Sequence, residues 1–236
     1  MDINLNNVCV NFDNKVVLDD FSASFEESKI TCILGASGVG KTTILNAICG
    51  TLSFSGVVEK DEGAVSYIFQ NERLIPSISV YKNLDLILKS KIKSKVERKK
   101  LVKKMLNAVE LIDEKNSFPF ELSGGMAQRV AIARGFLFPS KIMLMDEAFK
   151  GLDAALKARL VSVFISLWEQ DRRTVVFVTH SIDEALLLAH RIVVVKGSPA
   201  KIVLEEEITT PLRDRHLTNP EFDKVRKNLL ATLVKD

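Results

Sequence analysis

A chain of 236 residues, 47% hydrophobic and 27% charged, can bury one substantial core with a small subdomain beside it. Its net charge of +3 excludes an overall basic surface for nucleic acid: Lys89 to Lys104 holds nine Lys or Arg against the single acid Glu97, a local +8, which leaves −5 for the rest. No uncharged apolar run approaches the roughly 18 residues of a membrane span, and the start MDINLNNVCVNF lacks a basic or apolar leader region, so a cytosolic chain is expected. Cys9, Cys32 and Cys49 sit in apolar contexts without metal-ligand spacing and read as small buried hydrophobes in a reducing compartment.

Alternation of Ile3, Leu5, Val8, Val10 and Phe12, a turn at Asp13-Asn14, and renewed alternation at Phe21, Ala23 and Phe25 predict an antiparallel hairpin. Phe12 would end a strand either in the core or as a stacking face for a base. Lys29 to Leu34 then reads as a buried strand and Lys41 to Cys49 as a helix stopped by Gly50. Between them lies Gly35-Ala36-Ser37-Gly38-Val39-Gly40-Lys41-Thr42-Thr43, the pattern of a phosphate-cradling loop in the strand-loop-helix context it requires. Its glycines let successive N–H groups converge on phosphate oxygens at a helix N-terminus, where the macrodipole favours negative charge. Lys41 would reach the outer phosphates and Thr42 a Mg²⁺ ion.

A Ser/Gly-containing connection follows Gly50, then Ala64 to Gln70 reads as a strand whose end would point Gln70 either at a ligand or into a loop. From Ile75 to Pro139 helix formers dominate, with Ser79 and Asn83 as candidate caps and helical spacing over Asn83 to Leu88 and Val96 to Leu111. This predicts a helical subdomain inserted into the sheet domain. The basic run lies in it, as a solvated face or as an attraction to anionic headgroups. Leu122-Ser123-Gly124-Gly125-Met126-Ala127-Gln128-Arg129 opens a further helix, buried through Val130, Ala133, Phe136 and Leu137, and forms a second anion-binding helix start. One nucleotide needs two such starts only if two subunits share it.

Lys141 to Met145 is a buried strand ending in Asp146-Glu147, adjacent carboxylates that call for a cation; Asp146 would hold it and Glu147 would orient or deprotonate a water. Val175 to Thr179 ends likewise in His180, placed to sense a terminal phosphate. A hairpin about Gly197-Ser198-Pro199 and a helix after Asn219-Pro220, with Phe222, Val225, Leu229, Leu230 and Leu233 as one stripe, complete the chain.

With GASGVGKTT, Gln70, LSGGMAQR, IMLMDE, Gly151-Leu152-Asp153 and His180 in that order, the chain resembles the ATP-binding cassette ATPases over essentially its whole length. The resemblance implies an α/β P-loop NTPase of RecA-like core, with an N-terminal antiparallel β-subdomain and an inserted α-helical subdomain. Residues 1–74 and 140–236 would form the nucleotide-binding core and 75–139 the helical part. It implies ATP and Mg²⁺, held by Phe12 on adenine, residues 35–43 on phosphates, and Thr42, Gln70 and Asp146 on the metal. Glu147 would be the base, with Lys41, Gln70 and His180 as further catalytic groups. Ser123, Gly124, Gly125 and Asp153 would reach the nucleotide of a second subunit in a head-to-tail dimer.

LSGGMAQR, HSIDEALLLAHRIVVV and the tail from Pro211 are similar to ATPase subunits of nitrate, sulfonate and taurine importers. That resemblance implies permease subunits, an extracytoplasmic solute-binding protein, and a place on the cytoplasmic membrane face; no nucleic-acid partner is expected. A soluble cassette acting on nucleic acid or ribosomes is the alternative. Ala148 stands where the family usually has Pro, and Lys150 where a small residue is usual.

Overall fold

The computed structural model describes residues 1–13 and 15–234; of the expected turn Asp13-Asn14, Asn14 lies outside the described residues. The N-terminal hairpin forms as expected from β1 (Ile3–Phe12) and β2 (Lys15–Phe25), with Ile3 opposite Phe25 and Phe12 opposite Lys15. After β3 (Ile30–Leu34) and α1 (Lys41–Cys49), the stretch read as a connection contains a strand, β4 (Ser55–Glu59), which pairs antiparallel with β1. β4 is largely exposed, so it rests on backbone pairing to β1 and leaves little hydrophobic pattern to read.

The second sheet holds β3, β5 (Val65–Ile68), β6 (Ile142–Asp146), β7 (Thr174–Thr179), β8 (Arg191–Lys196) and β9 (Lys201–Glu207) in the order β5-β6-β7-β3-β8-β9. All pairs are parallel except β8 with β9. Both faces are covered, which is why its inner strands read as unbroken apolar runs. Cys32, Met143, Phe177 and Val194 face a helical layer, whereas Ile33, Leu144, Val178 and Val193 face α1 and the three-stranded sheet.

The helical layer comprises α2 (Val80–Leu88), α3 (Lys95–Ala108), α4 (Gly124–Leu137), α5 (Ala154–Asp171), α6 (Ile182–Leu188) and α7 (Glu221–Val234). α2, α3 and α4 pack on one another, and α4 on β5. Ser79 caps α2, but Asn83 does not cap: it lies inside the helix, buried, accepting from Ile75 N and donating to the Ile75 and Ile78 carbonyls, so it ties down the entering chain. Within the basic run the lysines are exposed, as a solvated face requires, while Arg98 turns inward to donate to Asp85 at 2.8 Å. α5 and α6 are elements that the sequence reading did not assign. In α7 the stripe is narrower than expected, because Leu230 is exposed while Phe222 and Leu229 are buried. Cys32 is buried as expected; Cys9 and Cys49 are half-buried.

Candidate nucleotide site

Parallel register sets the site. Leu34 lies opposite Thr179, and Asp146 opposite Val178, so the ends of β3, β6 and β7 open onto one edge. Gly35 N donates to Thr179 O at 3.4 Å, and a Cβ on Gly35 would stand 2.5 Å from the Val195 carbonyl oxygen, so the loop passes where only glycine fits. Gly40 then turns the chain at φ +107 into α1. The Lys41 ammonium, at the first position of α1, folds back and donates to Gly35 O and Ala36 O at 2.8 Å each. Burial pushes its pKa down, against the opposing pull of Glu147 and Asp146.

Thr42 Oγ1 donates to Asp146 Oδ1 at 3.3 Å. Burial raises the Asp146 carboxyl above the usual carboxylate value, and the Thr42 hydrogen bond draws it back only in part. These are hard oxygen donors of the kind a small divalent cation takes. Among the described residues no three His, Cys, Asp or Glu side chains converge as a cage.

Glu147 is almost buried and sits at φ +44, in the left-handed region that a non-glycine residue seldom occupies. Its N–H donates to Val178 O at 3.1 Å. Its carboxylate lies between an imidazole and an ammonium: His180 Nδ1 is 3.2 Å from Oε1, and Lys150 Nζ makes an ion pair 2.5 Å from Oε2. Burial pushes its pKa up, but Lys150 and His180 outweigh that and hold it below the ordinary carboxylate value.

One cavity of about 460 Å³ is lined by Phe12, Ser37, Gly38, Gly40, Lys41, Thr42, Thr43, Gln70, Asp146 and Glu147, together with Lys15, Val17 and Lys150. Phe12, half exposed, presents its ring there, and Gln70 lies just past β5, which ends at Ile68 rather than at Gln70. Gly35, Ala36, Val39 and His180 do not line it: Gly35 is buried, Val39 half-buried, Ala36 exposed, and the exposed His180 lies beside Glu147. Ser123, Gly124, Gly125 and Asp153 do not line the cavity. Ser123 caps α4 and Asp153 caps α5, and a Cβ on Gly125 would meet Leu156 at 2.2 Å, so the two helix starts lie against each other.

The description of an ABC transporter matches residues 18–150 as a family model. The chain belongs to the ABC transporter family. As such it binds ATP and hydrolyses it. It is 38% identical to the aliphatic sulfonates import ATP-binding protein SsuB of Bacillus cereus, over 91% of this chain and 87% of that protein. Among solved structures it is similar to the dimeric post-hydrolysis state of the ATP-binding cassette MJ0796 bound to ADP and Pi (TM-score 0.76, 30% identity, 87% of this chain and 98% of that one). The cbiO1 structure from Clostridium perfringens, part of the cbiONQ transporter complex, shares the fold (TM-score 0.79, 22% identity, 95% and 98% covered). Among the described residues of the cassette, no helix is long and apolar enough to cross a membrane.

Several groups that shape the cassette's site escaped the sequence reading. Lys15 and Val17 come from the start of β2 and carry no local sign of a ligand. Gln128, buried in α4, donates its amide to the Ala148 carbonyl beside Glu147. Thr179 Oγ1 accepts from Ser181 N at 3.0 Å and donates to the buried Glu184 at 2.6 Å, and Lys157 of α5 pairs with Glu184 at 2.7 Å, so both sides of His180 are anchored. Ser181 followed three residues later by Glu184 is a capping-box signature that would have flagged α6.

Proposed function

We propose that the chain is the ATP-driven subunit of an importer of the nitrate, sulfonate and taurine group, working as a pair with permease subunits on the cytoplasmic membrane face and supplied by an extracytoplasmic solute-binding protein. The observation that carries this is the cavity where Lys41, Thr42, Asp146 and Glu147 converge at the end of one parallel sheet. Similarity to import ATP-binding proteins over nearly the whole chain supports the direction and the solute class.

In this reading Phe12 stacks on adenine, and the N–H groups of residues 35–43 with the Lys41 ammonium hold the phosphates. Thr42, Gln70 and Asp146 hold Mg²⁺, which supplies charge neutralisation on the phosphate oxygens. Glu147, ionised and aimed at the cavity, takes a proton from the attacking water. His180 orients Glu147 through Nδ1 and keeps Nε2 for the terminal phosphate. Ser123, Gly124 and Gly125 at the capped start of α4, with Asp153 at that of α5, face the nucleotide of the second subunit, which closes the pair around ATP. Residues 1–74 with 140–236 act as the nucleotide-binding core and 75–139 as the helical part.

The test is affinity capture of tagged Glu147→Gln protein from detergent-solubilised cells of its own source, with ATP present. A polytopic membrane protein is expected to co-purify at stoichiometric yield. Recovery of soluble proteins or nucleic acid alone would overturn the transport reading.

A further inference from the structure

Lys150 lines the phosphate cavity, yet its ammonium is engaged on a carboxylate. Its N–H donates to Glu147 O at 3.0 Å, closing a turn, and Gly151 at φ +76 leads the chain away. The side chain therefore folds back over the turn it closes, and Nζ pairs ionically with Oε2 at 2.5 Å, off hydrogen-bond geometry, so that this buried oxygen has the ammonium charge and no hydrogen bond. Its own side chain is 43% exposed whereas that of Glu147 is 10% exposed, so the pair runs from the cavity rim inward. Gln128 fixes the same turn from α4 by its bond to Ala148 O. Lys41 does a different job, since its ammonium is fixed on Gly35 O and Ala36 O, away from the Glu147 carboxylate.

A glutamate held at one oxygen still swings about that contact, and an ammonium on the other oxygen removes the motion. We propose that Lys150 is a positioning residue for ATP hydrolysis: it grips Oε2 while His180 grips Oε1, and so fixes the plane of the Glu147 carboxylate against the cavity. This rests on the reading of Glu147 as the base.

The experiment compares wild type, Lys150→Met, Lys150→Arg and Glu147→Gln in steady-state hydrolysis, and in equilibrium binding of fluorescent ATP and ADP analogues with EDTA present. Lys150→Met should lower kcat at least tenfold with KM and both nucleotide affinities within threefold of wild type, which also shows the protein folded. Lys150→Arg should return kcat to within threefold, because a guanidinium reaches the same oxygen. Unchanged or raised kcat in Lys150→Met, no rescue by arginine, or a matching loss of ATP affinity would overturn the proposal, the last by making Lys150 a phosphate ligand. Turnover retained in Glu147→Gln would instead strike at the base assignment, and this inference would fall with it.

Discussion

Lys41 combines burial with two hydrogen bonds to its own loop, so its charge is held at a fixed point beneath the cavity instead of moving freely at the surface. A fixed ammonium makes charge-assisted bonds to phosphate at small entropic cost. Lys41→Ala should weaken ATP binding at least about a hundredfold, near 2.7 kcal/mol, in protein that still unfolds cooperatively; titration with a fluorescent nucleotide reads this directly. His190 carries a separate, structural prediction. Burial, with Arg215 next in weight, pushes its pKa down to about 4, and Nδ1 accepts the Ile30 N–H, which needs the neutral ring. The unfolded chain, near 6.5, binds the extra proton first, so the stabilisation is complete above 6.5 and is lost as pH falls from there through about 4, with a slope of at most about 1.4 kcal/mol per pH unit. Urea unfolding at pH 7 and pH 5 should show this slope in wild type and a flatter one in His190→Gln. At this scale the phosphate loop was legible because its residues are contiguous and each has its role set by local backbone. Gln128 and Lys157 were not, because they reach the site from helices far along the chain.

Helix starts carry much of the organisation at the next scale. Asp153 accepts from Leu156 N at 3.0 Å and so satisfies an orphan donor of α5, whose far side buries Leu160, Phe164 and Trp168. Asp153→Ala should cost about 1 kcal/mol, read as a shift in the urea midpoint with an unchanged m-value. Leu160, Val161, Phe164, Leu167 and Trp168 follow helical spacing and Asp153 is a capping residue type, so the signal for α5 is present in the sequence, beside a Gly151-Leu152-Asp153 segment that also reads as a loop. β4 is the opposite case, since a mostly exposed strand secured by pairing leaves little hydrophobic pattern. The buried strands β3, β6 and β7 were legible because a sheet covered on both faces is apolar at nearly every position.

Parallel register within one sheet puts the phosphate loop, Asp146-Glu147 and His180 at a common edge, although they are spread over most of the chain. The start of α4 stays outside that edge, which is the rationale for the proposed pairing, in which one copy would supply the loop and the carboxylates and the other a capped helix start. Order of motifs along the sequence revealed the first half; the second half rests on two copies meeting. The measurement that tests the whole account most directly is made on Glu147→Gln with ATP, recording hydrolysis together with molar mass by light scattering. The account predicts no more than about a hundredth of wild-type turnover and a stable dimer with ATP that reverts to monomer with ADP. Wild-type turnover in that variant, or a monomer with saturating ATP, would contradict it.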